Sequence, residues 1–193
     1  YLSWQNMSSD TIWLIFKSNL VLPIVSTNVS TGVEETNATL WGYLNDDGVS
    51  NNNPEIYENY IASSYYGISL YSNHATAYLN IVEYNVYHGI IVKYEYQDIK
   101  IMNNTIQNNG NGIYVSSYPV NVFIYRNSIT NNANSGIYWS SSHHGQIMNN
   151  FIGLNNEGIA IYSSENVTIK GNTIDSNFGY GVSLSSCFDV KII

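Results

Sequence analysis

The sequence predicts an all-β fold: a solenoid of about six to seven coils, each holding three short strands. Three observations lead there. A Gly followed by Ile or Val recurs at Gly67, Gly89, Gly112, Gly136, Gly158 and Gly181, at spacings of 22 to 24 residues. Further columns keep register with these anchors. Polarity comes from 29 Asn, 24 Ser, 10 Thr and 18 Tyr, while charged residues make up 10%, against a usual ~25%. A fixed period of this length marks a stacked repeat, and a helical stripe at 3, 4 and 7 is absent.

Residues 1–40 lack the repeat and read as an irregular β segment, either a cap or degenerate coils. Thr11–Phe16 and Leu20–Val25 alternate as strands, joined by a turn at Lys17–Asn19. The same region is too short and too interrupted, by Lys17, Ser18, Asn19 and Pro23, to span a bilayer as a helix. Tyr1 reads as following a removed signal peptide or as the start of a fragment. The solenoid is expected over residues 41–193, with Gly42-Tyr43-Leu44 as an early, less regular turn.

Each repeat carries three alternating segments. One has the form x-V-x-I, as in Asn121-Val122-Phe123-Ile124 and Asn166-Val167-Thr168-Ile169. The next is Asn-x-Ile/Val, as in Asn104-Thr105-Ile106, Asn127-Ser128-Ile129 and Asn150-Phe151-Ile152. The third begins at the anchor, and its Ile68, Ile90, Ile113, Ile137, Ile159 and Val182 are expected to point inward as one column. A short strand cannot bury its apolar side alone, so successive coils should stack at ~4.8 Å. Asn at the bends tolerates left-handed backbone and can bond the Asn of the next coil. Trp139 stands in a column otherwise held by Leu70, Val92, Val115, Ile161 and Leu184. It must find a widened coil or turn outward.

The run N-V-T-I-x-x-N-T-I-x-x-N-x-G-Y-G-V-x-L at Asn166 to Leu184 resembles the repeats of pectate-lyase-like right-handed parallel β-helix proteins. It is most similar to the NosD-like, carbohydrate-binding and sugar-hydrolase subgroup. The resemblance covers about Ile56 to Ile193 and implies the right-handed parallel β-helix fold. It carries over no catalytic motif.

Composition narrows the function. Six Lys and Arg against 14 Asp and Glu give a net charge of −8, which argues against nucleic acid as partner because phosphate binding needs clustered cations. The Asn-, Ser- and Tyr-rich, Lys-poor composition resembles surface proteins of thermoacidophilic archaea, so an extracellular or cell-surface location is expected. Sequons for glycosylation stand at Asn6, Asn28, Asn37, Asn103 and Asn166; chance alone supplies about five at this content. The one cysteine, Cys187, excludes an internal disulfide and reads as a small packing residue.

Chemistry on such a rod needs groups that converge. Glycoside hydrolysis uses two carboxyls roughly 5–9.5 Å apart. Glu83 and Asp175 share a column but sit four coils apart. Glu55 and Glu58 are the close pair outside a turn or doublet and are the candidate catalytic residues; Asp46-Asp47-Gly48 reads as a tight turn. His74, Asp98, Asn121, His144, Asn166 and Asp189 form one column that caps the bend entering a strand. A straight column does not converge as metal ligation requires, so no metal and no cofactor is expected. Outward Tyr residues are the best binding candidates. Tyr114 and Tyr138, each following an anchor Ile in adjacent coils, should form an exposed stack suited to a polysaccharide.

Three functions compete: a non-catalytic extracellular scaffold (surface, adhesive or filament-forming), a carbohydrate-active lyase or hydrolase, and a component associated with a secreted archaeal acid protease. The first is preferred, since the regular coils offer no acid, base or metal cluster. Val190, Ile192 and Ile193 close the sequence on an apolar rung. They are expected to meet further β-helix or a like subunit end-on, with residues 11–16 or 20–25 as the docking strands.

Overall fold

A computed structural model describes residues 53–193. The expectations for residues 1–40, for Gly42-Tyr43-Leu44, for Asp46-Asp47-Gly48 and for the sequons at Asn6, Asn28 and Asn37 lie outside the described residues.

The alternating segments form strands throughout. The first coil holds β1 (Glu55–Tyr57), β2 (Tyr60–Ala62) and β3 (Tyr66–Leu70). The second holds β4 (Thr76–Tyr78), β5 (Ile81–Glu83) and β6 (His88–Lys93), and the third β7 (Lys100–Met102), β8 (Thr105–Gln107) and β9 (Asn111–Ser116). The fourth has β10 (Phe123–Tyr125), β11 (Ser128–Thr130) and β12 (Ser135–Ser140); the fifth has β13 (Gln146–Met148), β14 (Phe151–Gly153) and β15 (Glu157–Tyr162). The sixth has β16 (Thr168–Lys170), β17 (Thr173–Asp175) and β18 (Val182–Ser185), and β19 (Lys191–Ile192) opens a seventh. Every strand pairs in parallel with its counterpart one coil away, giving three sheets of seven, six and six strands. We call them the first, second and third sheets in chain order.

Period-two alternation places one aliphatic ladder inside each sheet. In the second sheet Ile61, Val82, Ile106, Ile129, Ile152 and Ile174 are in register. In the third sheet Ile68 is 2% exposed, Ile90 to Ile159 are fully buried, and Val182 in the last complete coil is half-buried. The expected inward column therefore holds. Each such aliphatic side chain contributes about 1.5–3 kcal/mol on burial, and the ladder makes every contribution depend on the coils above and below.

The anchor glycines from Gly67 to Gly158 are required by close approach, whereas Gly181 has room for a Cβ. A Cβ on Gly112 would lie 2.5 Å from the carbonyl oxygen of Gly136 and 2.5 Å from Ile129 Cγ2, well inside contact distance. Trp139 turns inward and is fully buried. It fits because the facing position is Gly145, where a Cβ would fall 2.1 Å from the indole; neighbouring coils carry Ile99, Val122 and Val167 there. One large residue is offset by one absent side chain, as dense packing demands. Its Nε1–H donates to the Ser142 carbonyl at 3.4 Å.

The asparagine ladders are double. One runs Asn59, Asn80, Asn104, Asn127, Asn150, Asn172 at the first corner; the other runs Asn85, Asn109, Asn132, Asn155, Asn177 at the second. Asn127 shows the unit. Its Oδ1 accepts from the Asn104 backbone N–H and Nδ2 at 3.0 Å each, and its own Nδ2 donates to the Ile101 carbonyl at 2.9 Å and to Asn150 Oδ1 at 3.0 Å. The division of labour differs from the expected one. The left-handed residue is the one before each ladder Asn, such as Asn103, Arg126 and Asn149, at φ 53° to 55°. The ladder residue must aim its amide inward, so its neighbour turns the chain.

Candidate functional site

The third sheet has the longest strands, up to six residues, and so the widest outer face. Its outward columns carry Tyr66 and His88, then Tyr114 and Tyr138, then Tyr162, on successive coils. Side chains about one strand spacing apart must stack or splay; here the central rings stack and the outer pairs, Tyr66–His88 and Tyr138–Tyr162, tilt by 35° and 34°. Ring centroids lie 5.5 Å apart from Tyr66 to His88, 4.2 Å from His88 to Tyr114, 4.9 Å from Tyr114 to Tyr138, and 5.4 Å from Tyr138 to Tyr162. Tyr114 and Tyr138 are parallel within 3°. An oblique aromatic row thus crosses five coils. Lys93 adds its Nζ 5.6 Å from the Tyr114 centroid, within cation–π range.

The predicted Tyr114–Tyr138 stack is therefore present, but both rings are half-buried where the sequence led to an exposed stack. Tyr114 is sandwiched between His88 and Tyr138, so both ring faces are occupied. What a ligand can meet is ring edges and phenol hydroxyls. His88 was missed because its stacking partner lies one coil on and in another column, a diagonal that a single column does not reveal. Burial holds its imidazole at a pKa of about 4, and the nearby Lys93 charge pushes the same way, against a smaller opposing hydrogen bond to the Tyr87 backbone. His88 Nδ1 lies 3.2 Å from Asn111 Nδ2, which fits an accepting, neutral ring. Burial raises the Tyr138 phenol, with Tyr114 adding to the shift.

Beside this face runs the third corner, which has no asparagine ladder. From the fourth coil on, two residues separate the end of the third-sheet strand from the isolated bridge that follows: Ser141-Ser142, Ser163-Ser164 and Ser186-Cys187. The second and third coils have three, Tyr94-Glu95-Tyr96 and Ser117-Tyr118-Pro119. These longer corners, with Asn73, line an open cleft of about 500 Å³. A second crevice, between Pro54, Leu70 and Ala75, holds about 10 Å³, too little for more than one water.

The other predicted site residues lie apart from this face. Glu55 and Glu58 are exposed; Glu55 is on the outer side of the first sheet, where Oε2 accepts from the Tyr78 hydroxyl at 3.4 Å, and Glu58 is the left-handed residue of the first corner at φ 56°. Asn103 and Asn166 are exposed left-handed corner residues. In the histidine column every member has φ between 49° and 58°; His74 Nδ1 approaches Asp98 Oδ2 at 3.4 Å and Asn121 Nδ2 donates to Asp98 Oδ1 at 3.1 Å. His143 Nδ1 lies 3.6 Å from Glu165 Oε1, too far for a hydrogen bond. Among the described residues no three His, Cys, Asp or Glu converge. Glu83 is a carboxylate in an outward column that is nevertheless buried: the Tyr60 hydroxyl donates to it at 2.8 Å and Gln107 Nε2 at 2.6 Å. Val190 is half-buried against the core, whereas Ile192 and Ile193 are 59% and 70% exposed. Cys187 packs partly buried against the core, as expected.

The model of the right-handed β-helix region matches residues 42–193. The chain belongs to the right-handed β-helix family. Solved β-helices agree. The A-module of the mannuronan C-5 epimerase AlgE6 of Azotobacter vinelandii aligns at 25% identity and a TM-score of 0.58, over 67% of this chain and 36% of that one. Two mutants of the periplasmic alginate epimerase AlgG align at 23% and 19% identity, with TM-scores of 0.64 and 0.57, over 72% and 67% of this chain and 34% and 44% of those. At that identity AlgG speaks for the fold alone. This β-helix spans about a third of the length of the first two of these structures. No curated protein matches it. Among the described residues no helix is long and apolar enough to cross a membrane.

Proposed function

We propose that this β-helix is an extracellular, non-catalytic scaffold that holds a glycan along the outer face of its third sheet. The observation that carries the reading is the aromatic row from Tyr66 to Tyr162 across five coils, flanked by the open third corner. Sugars offer many hydroxyls, and a row of phenol tips set on apolar rings can hydrogen-bond them while the ring edges add contact area. Mutual stacking also fixes the rings beforehand, so little side-chain freedom is lost on binding. An end-on contact with a like subunit or further β-helix belongs to the same proposal.

Affinity electrophoresis against a panel of neutral, acidic and cationic polysaccharides tests the binding. At least one should retard the protein, and Tyr138→Ala should reduce that retardation. No retardation by any member would overturn the reading.

A second reading has its own observation. His88, Tyr114 and Lys93 bring an imidazole, a phenol and an ammonium together on one face, and the AlgE6 neighbour is a C-5 epimerase. Sugar modification there would exchange the C-5 proton with solvent. Deuterium appearing at C-5 of a polyuronate incubated in heavy water, and lost in Tyr114→Phe, would establish it over the scaffold.

A further inference from the structure

The cleft at the third corner has a chemistry of its own. Tyr94 and Tyr96 stand nearly perpendicular, at 84° with centroids 6.4 Å apart, and Tyr71 meets Tyr94 edge-on at 5.4 Å. Tyr118 enters from the next coil; it and Tyr94 are each 56% exposed. Glu95 sits between the two perpendicular rings in sequence, in a tight turn closed by the Tyr96 N–H donating to the Tyr94 carbonyl at 2.8 Å. The six lining residues, Asn73, Tyr94, Glu95, Tyr96, Ser117 and Tyr118, include one acid and no Lys, Arg or His.

The corners of this fold turn through left-handed residues throughout, Leu79, Tyr84 and Leu154 among them. At the longer third corners the residues that do so are Tyr94 and Tyr118, at φ 70° and 71°, where the shorter corners use Ser141, Ser163 and Ser186. The turn therefore sets two phenol rings at the mouth of the cleft.

Crossed aromatic faces attract a cation, and a carboxylate beside them adds to the attraction. An anion finds the opposite. No lining residue supplies a cation; Lys93 has its Nζ by Tyr114 on the sheet and the His143 ring stands 6.3 Å from that of Tyr118, and the chain carries −8 overall. We propose that the cleft is a subsite for a protonated amino group carried on a sugar, an amino-sugar residue of the glycan lying on the third sheet. The inference rests on that glycan-binding reading. The cleft is shallow and open to solvent, as suits one unit of a longer chain, and it opens beside the strand ends that carry the row.

Calorimetry on the full chain tests it with three probes: a fully deacetylated glucosamine oligomer, its N-acetylated counterpart, and choline as a free ammonium. The deacetylated oligomer should bind at least tenfold more tightly than the acetylated one. Glu95→Gln, an exposed corner substitution, should erase that preference and leave the acetylated oligomer unchanged. Tyr94→Phe should keep it and Tyr94→Ser should lose it. Equal affinity for the two oligomers, or a preference that survives Glu95→Gln, overturns the subsite and leaves the wider reading standing. Choline binding without discrimination between the oligomers overturns the sugar as the source of the ammonium. If neither oligomer nor any polysaccharide binds, the wider reading falls with it.

Discussion

The first and third corners solve the same problem, turning a coil while satisfying its buried backbone, and solve it differently. At the first corner each coil gives one left-handed residue and one ladder Asn, buried from Asn80 to Asn150, and the amides bond in an unbroken column. At the third corner the corresponding positions hold Ser72, Tyr96, Pro119, Ser142, Ser164 and Cys187, with local bonds such as Ser142 Oγ–H to the Ser140 carbonyl at 2.8 Å. A column that must repeat cannot accept an inserted residue. A corner without one can, and the second and third coils use that freedom to build the cleft. Stability is concentrated where the repeat is strict, and the candidate site where it is relaxed.

Breaking the ladder should have the largest effect. Asn127→Ala removes the partners of the Asn104 backbone N–H and the Ile101 carbonyl, and one of the two donors to Asn150 Oδ1. Unsatisfied buried groups cost about 1–3 kcal/mol each, so a loss of about 4 kcal/mol or more is expected in urea unfolding. Ser142→Ala at the third corner should cost about 1 kcal/mol. Equal costs would remove the distinction between the corners.

The Trp139–Gly145 pair sharpens it next, since here the third-corner region meets the core. Gly145→Val should destabilise by overpacking and Trp139→Val by leaving a cavity, the latter by about 3–5 kcal/mol. Together they restore the aliphatic columns, so the double variant should recover most of the loss. A double-mutant cycle with no coupling would contradict the packing account.

A smaller effect follows from His88. Its pKa is lowered in the folded state to about 4 from 6.5, so the unfolded chain binds the extra proton first. Stability from this group is complete above pH 6.5 and is lost as pH falls toward 4. A drop of about 1–2 kcal/mol is expected, after discounting for the solvent that still reaches the ring. His88→Gln should flatten that part of the thermal midpoint against pH.

The β-helix was legible because its physics is periodic. Inward Ile at every second position and one Asn per bend repeat with the coil, so Ile113 or Asn127 could be read from its column alone. The site was not legible in the same way. The longer third corners show in the sequence as nine residues from Gly89 to Asp98 and from Gly112 to Asn121, against eight in the three coils that follow, but that count does not say that the extra residue opens a cleft. The His88–Tyr114 stack is a diagonal, and the occupied faces of Tyr114 follow only from ring geometry. Glu83 reads in sequence only as sharing a column with Asp175 four coils away; Tyr60 and Gln107 bury it through contacts one coil away on each side.

The central claim is that binding belongs to the third sheet and not to aromatic pairs in general. The first sheet supplies the control, since Tyr57 and Tyr78 stack there at 4.9 Å and 11°, much as Tyr114 and Tyr138 do. Affinity for the best polysaccharide should be measured for Tyr114→Ala/Tyr138→Ala and for Tyr57→Ala/Tyr78→Ala. The account predicts a loss of about tenfold or more for the third-sheet pair, which is about 1.4 kcal/mol, and no change for the first-sheet pair. Equal losses from the two pairs, or a loss confined to the first sheet, would contradict it.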